Sequence, residues 1–276
     1  MNYKIIADSS ADKINITGIP TASAPLKIIT NEREFIDDEN LNTDEMVAYL
    51  KSYSGKSSTA CPGVNDWITA FGDSENIFCI TISSNLSGSF NSACLAASEY
   101  ETQYPDRNVF VIDSLSTGGE MQLIIEKLEE FILSGIAFDE ICEKITEYQK
   151  GTGLLFMLES LKNLANNGRV NHAVAKISGI LGIRIIGLAS DDGKLDITDK
   201  SRGEKKALAS IIERMKSAGC KNGKIRISHC QNEIFAKMLK AELEKTFKTT
   251  DIKIQKTGGL CSFYAESGGI IIGFEK

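Results

Sequence analysis

Histidine occurs only twice in the 276 residues, as His172 and His229. A serine hydrolase needs a base within reach of its nucleophile, and no G-x-S-x-G elbow is present. Neither G-x-x-x-x-G-K-[ST] nor G-x-G-x-x-G occurs, so the common phosphate-cradling loops are missing too. There is no excess of basic charge: the formal net charge is −6, which argues against an electrostatic nucleic-acid binder. The basic stretch SRGEKKA (201–207) is short and mixed with acid, and reads as a solvated helix face. No apolar run approaches the roughly 18 residues of a membrane span, so no stable membrane insertion is expected. MNYKIIADSS reads as a strand entering a turn rather than a signal peptide. The seven cysteines are scattered and form no C-x-x-C pair. Structural zinc and a disulfide framework are therefore poorly supported, and buried reduced thiols in a cytoplasmic protein are expected.

What is present is alternation. Short β-rich runs at YKIIAD (3–8), APLKIIT (24–30), NIFCITI (76–82) and NVFVID (108–113) are separated by helical patterns at 43–53, 64–72, 89–100 and 119–135. Apolar runs without strict alternation suit parallel strands covered on both faces. APLKIITNEREFID predicts a small antiparallel ribbon turning at Asn31–Glu32. A helix over 138–151, with Gly151 as its C-cap, leads to a second half. That half carries strands TGLLFML and IRIIGLAS, a hairpin-like turn at Asp191–Gly193, then KIRISH, DIKIQK and GIIIGF among further helices. Two α/β domains are expected, 1–150 with a mainly parallel sheet flanked by helices and 151–276 with a mixed sheet.

Open α/β sheets bind ligands at the carboxyl ends of their strands, and the hydroxyls concentrate there. Asp8-Ser9-Ser10 follows the first strand, Lys56–Gly63 precedes a helix, Ser83–Gly88 follows NIFCITI, and Asp113-Ser114 follows NVFVID. Any one such loop is ordinary N-capping. Four on one sheet edge would converge on a crevice and offer neutral donors and helix N-termini to an anion.

These stretches resemble the DegV family of bacterial fatty-acid-binding proteins over the whole length. YKIIADSSAD resembles the family's first strand and DS turn, KSSTACPG its TSQPS-type loop, and SSNLSGSFNSA its SS-x-LSGTY-x-x-A motif. LKNLANNGRV resembles its GR segment, and ESGGIIIGF its glycine-rich last strand. The resemblance implies two α/β domains with a long-chain fatty acid between them and the acyl tail buried. It implies a carboxylate held by Ser57 and Ser87 with the Gly88 amide nearby, and Ser58, Ser84 and Tyr264 as further contacts. Arg169, of the GR segment, either braces the domain junction or meets a partner. The resemblance also implies a non-catalytic subunit that presents the acid to a separate fatty acid kinase, with no cofactor, catalytic residue or metal of its own. A lipid-sensing regulator, or a binder of a small phosphorylated metabolite at the same serines, is the alternative.

Two departures from the family pattern matter. KSSTACPG lacks the mid-motif proline and has serine where threonine is usual. Tyr264 stands where a histidine is common, followed by Glu266 and Ser267 in place of Gly and Pro. A tyrosine donates a hydrogen bond but carries no positive charge near neutral pH. Hydroxyls without an arginine clamp would orient a carboxylate and leave it nucleophilic. LLFMLESL and ISGILGIRIIG are expected to supply part of the pocket wall, while His229 at a strand end and His172 at a helix start read as capping or packing residues.

Overall fold

The computed structural model describes residues 2–175 and 182–276. The first half runs β1 (Tyr3–Asp8), β2 (Thr21–Ala24), β3 (Lys27–Thr30), β4 (Glu34–Ile36), α1 (Thr43–Ser52), β5 (Ser57–Ala60), α2 (Val64–Phe71), β6 (Asn76–Thr81), α3 (Ser89–Gln103), β7 (Asn108–Asp113), α4 (Gly119–Leu133) and α5 (Phe138–Lys150). The second runs β8 (Thr152–Leu158), α6 (Lys162–Asn166), α7 (His172–Ala175), β9 (Ile183–Ala189), β10 (Leu195–Arg202), α8 (Glu204–Ser217), β11 (Ile225–His229), α9 (Glu233–Phe247), β12 (Ile252–Lys256), α10 (Gly259–Ala265) and β13 (Ile270–Glu275).

Strands β2-β1-β6-β7 form a wholly parallel sheet. Every residue of β6 is buried, as a central strand covered on both faces requires. The second sheet, in the order β10-β9-β8-β13-β11-β12, is mixed: only β11 and β12 are parallel. Two α/β domains with these sheet types match the expectation. The run APLKIIT, however, is divided. Its first residue, Ala24, closes β2 in the parallel sheet. Pro25 interrupts the run, and β3 leaves for a separate antiparallel sheet, β4-β3-β5. That ribbon turns at Asn31–Glu32 as predicted, with Thr30 N donating to Arg33 O at 2.8 Å. Its third strand, β5, lies in the segment read as a hydroxyl loop.

The ribbon and α1 do not pack on the first sheet. Ile28, Met46 and Val47 join one core with Leu154, Phe156, Leu158 and Ile271 of the second sheet. Along β8 the side chains alternate: Leu155 and Met157 face the helices α8 and α9, while Leu154, Phe156 and Leu158 face the ribbon. The ISGILGIRIIG wall falls partly on 176–181, outside the described residues. Of the remainder, Ile183 and Ile185 belong to the ribbon-side core and Ile186 to the opposite one.

The two domains meet along α4. A Cβ on Gly119 would overlap Arg226 O and stand 2.7 Å from Gly273 N, and one on Gly273 would overlap the Gly119 and Glu120 backbone. Two glycines thus face each other where helix touches strand. About two turns along α4 on the same face, Glu126 accepts from Arg226 Nε at 2.8 Å and from Nη2 at 2.5 Å. Burial pushes the Glu126 carboxyl up, but Arg226 and Lys253 outweigh it and hold its pKa below the usual range. A buried pair like this is costly to break, because either charge left alone is desolvated. At the glycine contact a methyl group has nowhere to go. Gly273→Ala is expected to cost roughly 1–3 kcal/mol, the usual penalty of overpacking, and to lower the melting temperature by several degrees. An unchanged melt would show that the domains dock elsewhere.

Candidate functional site

Between the ribbon-side face of β8, the helix α10 and the loops after β5 and β6 lies a cavity with about 660 Å³ of atom-free space, part of it open to solvent. The enclosed part, the space a water-sized sphere can occupy, is a narrow slot of about 70 Å³. Its walls are mostly apolar, with Leu154, Phe156 and Leu158 on one side and Leu26, Ile82 and Leu260 on another. The polar lining comprises Thr59, Ser87, Arg169, Tyr264, Thr117 and Cys261.

Four of these polar groups form one end. Thr59 Oγ1 and Tyr264 Oη are 2.8 Å apart. The Arg169 guanidinium lies 5.7 Å from the centre of the Tyr264 ring, and its Nε donates to Leu86 O at 3.0 Å, beside Ser87. Arg169 Nη1 donates to Asn167 O at 2.5 Å, so two of its five N–H groups are fixed on backbone carbonyls. Among the described residues it makes no ion pair, and it is the one charged side chain lining the cavity. An arginine thus joins the hydroxyls at this end of the cavity, where the sequence reading places hydroxyls and a helix N-terminus. Burial raises the Tyr264 phenol above its ordinary value against the opposing effects of Thr59 and Arg169, so it is a neutral hydroxyl at pH 7.

The expected site residues divide. Ser87, Tyr264 and Arg169 line the cavity; Ser57, Ser58, Ser84 and Gly88 do not. The sheet register explains the loop after Lys56. Thr59 stands opposite the buried Ile28 and Ser57 opposite Thr30, so both lie on the inner face while Ser58 points to solvent. Ser57 sits at the outer end, where its carbonyl accepts from Asn167 Nδ2 at 3.3 Å. The hydroxyl that reaches the cavity is that of Thr59. Ser84 is exposed, and its amide donates to Asp113 Oδ1 at 3.1 Å. Gly88 is the exposed N-cap of α3.

The other hydroxyl loops are scaffolding, the ordinary capping reading. Asp8 lies beneath the loop carrying Ser87. It accepts from Ile82 N at 2.9 Å, from Ser89 Oγ at 2.6 Å, and from the amide and hydroxyl of Ser10. Ser9 Oγ accepts from Leu26 N at 3.0 Å. His229 is also structural: its Nδ1 accepts from Asn232 N at 3.3 Å, and burial lowers its pKa. His172 is exposed at the start of α7. Burial, first of all, drives the Cys261 thiol well above its usual range, which removes it as a nucleophile. Among the described residues no group of three or more His, Cys, Asp or Glu could hold a metal, and no helix is long and apolar enough to cross a membrane.

Together with β5, the helix α10 is an element that sequence reasoning missed. It brings Leu260, Cys261, Tyr264 and Ala265 to the cavity. Its N-terminus is held by carboxylates from the first domain. Asp37 accepts from Gly259 N at 2.6 Å and Leu260 N at 2.7 Å, and Asp12 accepts from Gly258 N at 2.7 Å.

A model of the DegV family, described as an uncharacterised protein, matches residues 2–276. A DegV domain-containing protein of Streptococcus pneumoniae is 42% identical over 282 residues, covering 100% of this chain and 99% of that protein. Among solved structures, a DegV family protein from Eubacterium eligens loaded with heptadecanoic acid superposes with a TM-score of 0.98 at 42% identity, covering 99% of each chain. The Streptococcus pneumoniae Fatty Acid Kinase (Fak) B3 protein loaded with linoleic acid superposes with a TM-score of 0.97 at 41% identity, covering 100% of this chain and 99% of that one.

The α10 anchor has a pH signature. Burial is the main cause that raises the Asp37 carboxyl to about 6, against its bonds to Leu260 and Gly259. The folded protein therefore holds this proton more tightly than the unfolded chain does. Between about pH 4 and 6 that makes stability fall as pH rises, by up to ~3 kcal/mol from this group. In Asp37→Asn this part of the slope should vanish, while slopes from other buried acids remain. Superimposable pH–stability slopes for both proteins, measured by urea unfolding, would rule the assignment out.

Proposed function

The chain belongs to the DegV family, and we propose that it binds a long-chain fatty acid in this cavity and presents the carboxylate to a separate fatty acid kinase subunit for phosphorylation. The observation that carries the reading is the division of one cavity into a mostly apolar body and a polar end. Burying about 14 methylenes at ~0.8 kcal/mol each amounts to some ~11 kcal/mol before ordering costs. The tail supplies most of the affinity, and the polar end sets orientation.

At that end Ser87 and Thr59 donate hydroxyls, Tyr264 supports Thr59, and Arg169 contributes charge. With two of its N–H groups held on Leu86 and Asn167 carbonyls, Arg169 is positioned by the protein rather than by the ligand, which favours a carboxylate steered but not enclosed. Ser57, Ser58, Ser84 and Gly88 act in this reading as supports of the two loops. The apolar body favours an acyl chain over a small phosphorylated metabolite. None of the lining hydroxyls has an imidazole beside it, so the protein binds without turnover of its own, and the acid is its ligand rather than a cofactor. A cytoplasmic location goes with this reading, because a kinase partner would draw on cellular nucleotide.

Delipidated protein should bind C14–C18 acids saturably (lengths about those of the estimate above) and leave test esters unhydrolysed. In competition against a fluorescent fatty acid, Ser87→Ala and Thr59→Ala should each weaken the acid by roughly 10- to 150-fold, the loss of a bond to a charged group. The methyl ester should lose much less, and Ser57→Ala should bind like wild type. Equal losses for acid and ester would mean that the head group is held elsewhere.

A further inference from the structure

The hairpin joining β9 and β10 crosses from the second domain to the loop that carries Ser87. β9 pairs with β8 from Ile185 to Leu188 and no further. Beyond the Leu155–Leu188 pair, the tip Ala189–Leu195 has, among the described residues, no neighbouring strand but its own. It is stiff in itself: Gly193 N donates to Ser190 O at 2.8 Å, and Lys194 N to Ser190 Oγ at 2.9 Å. Among the described residues, two hydrogen bonds tie it to the first domain. The buried Ser83 hydroxyl donates to Gly193 O at 2.7 Å, and Asn85 Nδ2 donates to Asp192 O at 2.6 Å.

The fit there is close. A Cβ on Gly193 would overlap Ser83 Oγ and stand 2.9 Å from Leu115 Cα, at a φ of +73°, so only glycine seats the tip. One side of the tip covers the acyl cavity through Leu195. Its other side, at Ala189, Ser190 and Asp191, borders a second cleft that also reaches Asp113 and Lys150. Packed protein does not fill that space. The root is different: the β9–β10 register shifts between Ile197 and Asp199, and Arg214 of α8 holds Asp199 with Nη2 to Oδ1 at 3.0 Å. The tip is thus latched at one end, anchored at the other, and bulged between, and bulges are where strands bend.

We propose that this tip is a cover through which the ligand exchanges, and that Ser83 and Asn85 are positioning residues that latch it. The proposal rests on the fatty-acid reading of the cavity. Ser83 also ties latch to head-group end, since its carbonyl accepts from Leu86 N at 2.9 Å and Ser87 N at 3.1 Å. Neither Ser83 nor Asn85 lines the cavity, so their loss acts on the barrier to exchange more than on the bound state.

Stopped-flow exchange of a fluorescent C18 fatty acid tests this in Asn85→Ala, Ser83→Ala and Gly193→Ala. Association and dissociation should both accelerate, by roughly three- to tenfold for one lost hydrogen bond. The equilibrium constant should move less than about threefold and the preference for acid over ester should stay as in wild type. Unchanged rates in all three variants, or faster dissociation with unchanged association, would overturn the latch. If wild type shows no saturable binding, the fatty-acid reading fails by itself. The latch is then decided by amide hydrogen exchange at Asp191–Leu195, which must speed up in Asn85→Ala if the tip is held as described.

Discussion

The cavity is a gap between two domains, so its width depends on how closely they dock. That closeness is set where α4 meets β13, at the facing pair Gly119 and Gly273. A side chain at either position would separate helix from strand, and the separation would carry through to the ribbon, to α10 and to the loops around the cavity. The Glu126–Arg226 pair ties the same contact further along α4, because a buried guanidinium left without its carboxylate would be costly.

On that frame the polar groups separate into those that build and those that face the cavity. Buried carboxylates of the first domain hold backbone: Asp8 the loop before Ser87, and Asp37 and Asp12 the start of α10. None of the three lines the cavity. Arg169 does, with its guanidinium partly committed to carbonyls. Negative charge is spent on architecture at a distance, while the cavity keeps one cation and several neutral hydroxyls. For an anionic head group this removes repulsion without enclosing the ligand in a tight ion pair, since a fully engaged guanidinium would bind both oxygens.

Several elements could be read from the sequence because a single local cause suffices for each. YKIIAD and TGLLFML are short, β-branched or apolar runs of the kind a covered strand uses, and they occur as β1 and β8. The loop around Ser87 stood out by its motif. Two elements stayed hidden. β5 is four polar or small residues, SSTA, with no hydrophobic alternation to betray a strand; the pairing with β3 makes it one. α10 has no polar face, since all but Tyr264 of its residues are buried, so the amphipathic signal of a surface helix is absent. Arg169 and Tyr264 were both singled out, yet nothing local says that a turn after α6 and a short buried helix would meet.

The alternation of strands and helices, the two sheet types and the concentration of hydroxyls after the strands were all legible along the chain. Each follows from side-chain chemistry within a few residues. The sequence by itself did not determine which hydroxyl faces the cavity. A strand's side chains alternate, so Ser57 and Thr59 share a face and Ser58 takes the other, but alternation names neither the inner face nor the end that reaches the ligand. Pairing with β3 sets Thr59 against Ile28, and packing of that ribbon on the second domain turns this face inward. Only the tertiary structure could decide it, because the partner that chooses the face lies about a hundred residues away in the chain, on β8.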